Sequence, residues 1–274
     1  AEETGLDTVW LGESHFNPNR SVLSAPTVVA SSIATRTKRL KVGNAVQVLP
    51  LISPLRIAEE AATVDQISEG RFEFGVGRSG NARAYEIMGI PYEESPARFQ
   101  EALEIILEAW KGERFSYHGK YNQIDDAIVT PGTYQKPMPP VRLASSQSDS
   151  FSRIGRLGFP IFLSVRGMDV NELETNLKDY RKAWREAGHP GDGGDISVRV
   201  PMYIGLTKEE AFTEPKETTE AFFARMRRMY EDRLQSGGGN LPEERMARAE
   251  KLATLTYEDI LETRVIFGTP DMVI

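Results

Sequence analysis

Three short stretches hold residues whose types and spacing suit chemistry. In WLGESHF a carboxylic acid, a hydroxyl and an imidazole follow one another as Glu13, Ser14 and His15, directly after an apolar run. An imidazole there can take up or release a proton near neutral pH, and it can equally be a hydrogen-bonded structural histidine. In FGVGRSG, Gly75, Gly77 and Gly80 spell G-x-G-x-x-G. As a dinucleotide fingerprint this needs a strand before it, a helix opening on it and an acid about 20 residues on. RFEF supplies the strand, but the first well-capped helix after Gly80 is expected only near Ser95, and the candidate acid, Glu101, falls inside it. Two strands also precede the motif. The glycines then read either as a plain turn or as a place where backbone approaches a ligand, with Arg78 offering a forked cation for phosphate. The third stretch, SSQSDS from Ser145 to Ser150, leads straight into a helix. Four serines exceed what a cap at Ser148 or Asp149 asks for, and hydroxyls with helix N-terminal amides suit an anion. One phosphate held between this loop and Arg78 fits a mononucleotide better than a dinucleotide.

The elements that must position these stretches alternate. Strands are expected at Thr8–Gly12, Leu40–Val46, Arg71–Val76, Val141–Ala144, Pro160–Ser164 and Ser197–Ile204, and helices at Ala25–Thr35, Pro54–Ser68, Ser95–Lys111, Asp149–Leu157 and Val170–Ala187. Ser53 as N-cap, Pro54 at the first position and Gly70 past the end mark the second helix. Such alternation implies a parallel sheet covered by helices. Six strands, with one more expected beyond each end of the chain, predict an α/β fold of the (β/α)8 TIM-barrel kind, 1–274 forming one domain. All three chemical stretches then follow strand ends, the face where barrel sites are built. The segment 112–140 reads as a non-alternating insertion, and 213–263 as a charged helical segment broken by QSGGGNLPEE. Residue 1 is Ala, and FGTPDMVI ends as a helix begins at Thr269 and Pro270, so truncation at both ends is expected.

Composition narrows the chemistry. The 274 residues carry a formal net charge of -7, which gives nucleic-acid binding no electrostatic support. No run of about 18 apolar residues is present, so no membrane partner is expected. With Cys 0 there is no disulfide, thiolate nucleophile or cysteine-ligated metal. A reducing compartment agrees with that, and the cytoplasm is the expected location. His118 and His189 read as surface residues, no His/Asp/Glu cluster has ligand spacing, and no metal is expected.

The chain resembles the bacterial luciferase-like flavin-dependent monooxygenase family, or luciferase-like and F420-dependent superfamily. The likeness lies in GLDTVWLGESHF, in RLKVGNAVQVLPLISPLRIAEEAATVDQISEGRFEFGVGRSG, in MGIPYEES, in PVRLASSQSDSFSRIGRLGFPIFLS and in FGTPDMV. The resemblance implies a (β/α)8 barrel with an insertion after the fourth strand, matching 112–140. It implies reduced FMN as cofactor, with F420 as the alternative, and a homodimer through helices 25–35 and 54–68.

Residue by residue, Arg78 matches the arginine on the cofactor phosphate, and Ser146, Gln147 and Ser150 match the loop that also holds it. Ala45 and Val46 match a pair joined by a non-proline cis peptide beneath the ring, forming a bulge. Asn44 and Ser164 are implied neighbours of the ring. Two positions depart from luciferase: Ser14 replaces the first of two histidines, and Val165 replaces a tryptophan. A hydroxyl cannot serve as a general base near neutral pH as imidazole does, so light-emitting aldehyde oxidation is not expected. The reading is a two-component monooxygenase acting on a small organic substrate with O2, its reduced flavin coming from a flavin reductase, with Glu13, Ser14 and His15 on the substrate side. An F420-dependent hydride-transfer enzyme and a non-catalytic flavin-binding protein are the alternatives.

Overall fold

The computed structural model describes residues 1–145, 147–165, 168–235 and 243–273. The chain groups into two compact units, Ala1–Ala144 and Ser145–Ile274.

In the first unit β-branched and aromatic runs form four parallel strands: β1 (Thr8–Leu11), β2 (Lys41–Val48), β3 (Phe72–Gly77) and β6 (Val141–Ala144), side by side in that order. Helices α1 (Pro26–Arg36), α2 (Pro54–Ile67) and α4 (Ser95–Ala109) connect and cover them. Parallel strands covered by helices read as near-continuous apolar runs, and every residue of β3 is buried. Phe72 and Phe74 are fully buried, each contributing roughly 1.5–3 kcal/mol. The Phe74 ring meets Trp110 edge-on at 5.3 Å, and the Trp110 indole donates to the Ala58 carbonyl of α2 at 3.0 Å. Alternate residues of the strands form the other face, where Gly43, Glu73, Gly75 and Gly77 sit. At the strand N-termini on this face, Glu73 accepts from Arg142 Nε at 2.7 Å and from Lys41 Nζ at 3.2 Å.

Pro54 starts α2 as expected, but the Ser53 hydroxyl makes no capping bond. The chain leaves α2 through Glu69 (φ 54) and Gly70 (φ 82), a left-handed pair that glycine completes without steric cost. Three elements of this unit were not foreseen. A six-residue helix, α3 (Ala82–Ile87), follows Gly80 closely, ahead of the helix expected near Ser95, which starts there without a side-chain cap. Helix α3 has no side-chain cap and barely more than a turn, which is why no start signal marks it. The 112–140 segment contains an antiparallel hairpin, β4 (Phe115–His118) with β5 (Gln123–Ala127). Its tip is held by Glu101, whose carboxylate accepts from the amides of Lys120, Tyr121 and Asn122 at 2.6–3.2 Å and from the Asn122 side chain at 2.8 Å.

In the second unit α5 (Ser148–Leu157) precedes β7 (Ile161–Ser164), and α6 (Val170–Glu186) packs on α5 and leads to β8 (Ile196–Arg199), which pairs parallel with β7. The strand expected over 197–204 is two strands: β9 (Met202–Ile204) pairs parallel with β10 (Ile266–Gly268), itself not foreseen. Pro201 lies at the break. It has no N–H to give to a ladder, and its carbonyl accepts from the Ile266 amide at 2.9 Å. The 213–263 region is helical, with α7 (Lys208–Thr213), α8 (Lys216–Gln235), α9 (Glu243–Thr254) and α10 (Tyr257–Thr263); QSGGGNL lies almost wholly outside the described residues. Capping boxes start α7 at Thr207/Glu210 and α10 at Thr256/Asp259. Phe223, Leu252 and Ile260 form a small core between α8, α9 and α10. The short helix α11 (Pro270–Val273) opens at Thr269 and Pro270 as the sequence suggests.

Candidate active site

The C-terminal ends of β1, β2 and β3 converge on a small polar recess lined by Glu13, Ser14, His15, Arg20, Ser79 and Asn81. Loop β1–α1 supplies the first four residues, anchored where the Ser14 amide donates to the Leu23 carbonyl at 2.8 Å. Loop β3–α3 supplies Ser79 and Asn81, and the Asn81 side chain donates to the His15 carbonyl at 3.4 Å. Two non-glycine residues here hold left-handed backbone, Phe16 (φ 54) and Ser79 (φ 58). Such conformations persist where surrounding contacts over-determine them.

Glu13 and His15 are paired: the imidazole Nε2 lies 2.5 Å from Glu13 Oε1. The other carboxylate oxygen accepts from Gln47 Nε2 at 2.5 Å and from the Val48 amide at 2.7 Å. The Glu13 side chain is 4 % exposed. Burial pushes its carboxyl above the ordinary value, against the pull of the hydrogen bonds from His15 and Val48.

The end of β2 is irregular. Asn44 pairs with Phe74 and Gln47 with Val76, so three steps on β2 match two on β3. This is a bulge, and the peptide between Ala45 and Val46 within it is cis. The bulge brings Val46 against Gly77, where an added Cβ would stand 2.7 Å from Val46 Cγ2. The second glycine of the motif is thus required by its neighbour strand. Asn44 is fully buried, and its amide turns to Thr27 of α1 and to Gln47 at 3.3 and 3.1 Å. Arg78 follows Gly77 directly, half-buried, its carbonyl accepting from the Tyr85 hydroxyl of α3.

The second unit holds the remaining predicted residues. Gln147, not Ser148 or Asp149, occupies the N-cap position of α5, and it makes no side-chain cap. The Ser145 hydroxyl donates to the Gln147 carbonyl at 3.2 Å, and the Ser150 hydroxyl lies 3.2 Å from Asp149 Oδ1. Ser164 ends β7, with Val165 buried after it. Ser146 lies outside the described residues. Among the described residues no group of three His, Asp or Glu is placed to hold a metal, and no helix is long and apolar enough to cross a membrane. Thr27 and Gln47 escaped the sequence reading. Their one signal is a glutamine among apolar residues near the end of a strand, AVQVLP.

Parallel βα units with irregular, polar strand ends define an α/β protein whose candidate site lies at the C-terminal ends of its strands. The chain belongs to the luciferase-like monooxygenase family, whose model matches residues 1–274. It is 31% identical over 200 residues to the alkanal monooxygenase alpha chain of Photorhabdus laumondii, covering 69% of this chain and 52% of that one. It is 30% identical over 213 residues to the oxygenase component of a flavin-dependent trigonelline monooxygenase from Acinetobacter baylyi, covering 77% and 58%. The chain spans about half the length of the curated relatives it matches. The fold is that of the oxygenating constituent of 3,6-diketocamphane monooxygenase from Pseudomonas putida, solved with FMN, at TM-score 0.79 and 20% identity over 100% of this chain and 78% of that one. It is also that of an F420-dependent tetrahydromethanopterin reductase from Methanopyrus kandleri, at 0.75 and 20% over 100% and 81%.

Proposed function

We propose that this protein is the oxygenase of a two-component flavin system, binding reduced FMN from a separate flavin reductase and using O2 to oxygenate a small organic substrate. The observation that carries this reading is the bulge of β2, which lays Val46 over the side-chain-free Gly77 immediately beside Arg78. A flat apolar seat next to a guanidinium fits a ring that carries a phosphate on a chain. Ala45 and Val46 would lie under the ring, Asn44 would brace the bulge from behind, and Ser164 would border the ring. Arg78, with Ser146, Gln147 and Ser150, would hold the phosphate. Reduced flavin, when bound, supplies the electrons that O2 needs. The chain's own residues bind it, keep water out and, through Glu13 and His15, hold a proton at the substrate, with the Ser14 hydroxyl beside them. In this reading the strands close as a (β/α)8 barrel with 112–140 as its insertion. Two copies associate through α1 and α2 in the cytoplasm; Val28 and Val29 of α1 are exposed.

A second reading keeps the seat and changes the cofactor to F420, with hydride transfer in place of oxygenation. The fold likeness to the F420-dependent reductase favours it. An anaerobic fluorescence titration with reduced FMN and, in parallel, reduced F420 separates the two. Tight FMN binding followed by O2 consumption on mixing with air is expected. Binding of F420 alone, inert to O2, selects the second reading, and binding of neither overturns both.

A further inference from the structure

We propose that Gln47 is a positioning residue that fixes which nitrogen of His15 carries the proton, leaving Nδ1 as the base. The proposal rests on the reading above only in taking His15 to face the substrate.

The Gln47 side chain is buried between α1 and the end of β1, and with Glu13 ionised its amide is held one way round. Its carbonyl Oε1 accepts from Thr27 Oγ1 at 3.1 Å and from Asn44 Nδ2 at 3.1 Å. Thr27 Oγ1 already accepts from Asn44 Nδ2 at 3.3 Å, so its own proton is directed to Gln47. Turning the Gln47 amide over would set its NH2 against donors on one side and its oxygen against the Glu13 carboxylate on the other. Turning Asn44 over would set oxygen against oxygen. The fold keeps Asn44 as it is even though Asn44 Oδ1 is then buried with no hydrogen-bond partner among the described residues. A buried acceptor left this way carries a desolvation cost that no hydrogen bond offsets. That cost marks the orientation of the amide chain as something the structure maintains.

The consequence runs on to Glu13. Gln47 Nε2 and the Val48 amide both donate to Glu13 Oε2, so that oxygen carries no proton. One proton is left to sit between Glu13 Oε1 and His15 Nε2, 2.5 Å apart. These donors favour the charged carboxylate against the burial that raises its carboxyl, and with both of them on Oε2 the geometry places the shared proton on the imidazole. His15 is then the Nε2–H tautomer, and Nδ1, which no described residue bonds, presents its lone pair. The chain Thr27–Asn44–Gln47–Glu13–His15 thus joins helix α1 to the recess by hydrogen bonds of fixed direction.

The test is the tautomer itself, read by long-range 1H–15N correlation on the 15N-labelled full chain at a pH where the imidazole is neutral. Only three histidines are present, and His118 and His189 report that each variant is folded. Wild type is expected to show His15 protonated at Nε2. Gln47→Leu is expected to raise the Nδ1–H fraction several-fold. Thr27→Val, which keeps Gln47 but frees its carbonyl, is expected to raise it less, and it stands as the test where Gln47→Leu does not fold. An Nδ1–H tautomer in wild type overturns the proposal, as does an unchanged ratio in the folded variants. FMN binding measured on the same samples reports separately on the function: its absence, with the tautomers as expected, defeats the flavin reading and leaves the role of Gln47 standing.

Discussion

Two carboxylates of the first unit are equally buried and differently employed. The Glu73 side chain at the N-terminal end of β3 is 5 % exposed, and the Glu13 side chain just past β1 is 4 % exposed. Glu73 faces cations, Arg142 and Lys41, with the Arg142 guanidinium 5.6 Å from the Trp10 ring. Glu13 faces two neutral N–H groups and an imidazole. Burial alone therefore does not make a site. A carboxylate matched by fixed positive charge fastens strands together, whereas one matched by neutral donors keeps a negative charge for the imidazole beside it. That division follows the fold, since the N-terminal face of such strands holds the sheet and the C-terminal face carries chemistry.

The sharpest way to break the comparison is to unpair the fastening carboxylate. Arg142→Met strands Glu73 in the interior with only the half-exposed Lys41, and a loss of about 3–5 kcal/mol in urea unfolding is expected. Adding Glu73→Gln to the same chain should recover much of that loss, and no recovery would mean that Arg142 acts through packing on Trp10. Gly77→Ala comes next. Its methyl must displace Val46, costing about 1–3 kcal/mol, and the FMN titration should weaken with it; unaltered FMN affinity would detach the bulge from the cofactor.

Glu13→Gln should behave in the opposite sense to the Arg142 variant. Burial raises the Glu13 carboxyl above its ordinary 4.5, so wild-type stability from this group is whole below that pH and declines as pH rises through the raised value. The glutamine lacks that decline, so its stability relative to wild type should improve from about pH 4.5 upward. Oxygenation should fall by about 10²–10⁴ if the pair moves a proton. A variant that loses stability uniformly with pH would make Glu13 a second fastener.

The smallest effect belongs to Glu2, whose carboxyl is lowered to about 2 by the amides of Leu40, Arg39 and Lys38. Glu2→Gln should weaken the fold slightly above pH 4.5, with the difference fading as pH falls toward 2 in paired urea titrations.

Most strands and helices are legible because they are long periodic runs with local punctuation: RFEFGV, LPLISPLRIAEEAATV, PVRLA. What escaped is short or non-local. Helix α3 has six residues and no cap, and the hairpin strand QIDDA is too polar to read as a strand. The break at Pro201 becomes visible only once β10 exists to take β9. At the site, Glu13, His15 and Arg78 announce themselves by type and position after strands. Thr27 and Gln47 do not, because their contacts join residues 20 and 34 apart in the chain, and nothing in a threonine or a glutamine alone says whom it will meet.

The grip of Glu101 on the hairpin tip carries a mechanical consequence. Three successive backbone amides and one side-chain amide end on a single carboxylate that is rooted in the middle of α4. At the other end of the segment, Gln135 is tied to Asp65 of α2 by its backbone and side-chain nitrogens at 2.8 and 2.7 Å. A loop tethered at two points to helices of the sheet's cover is built as a splint, not a flap, and its amides at 120–122 are expected to exchange with solvent at the pace of the helix that holds them.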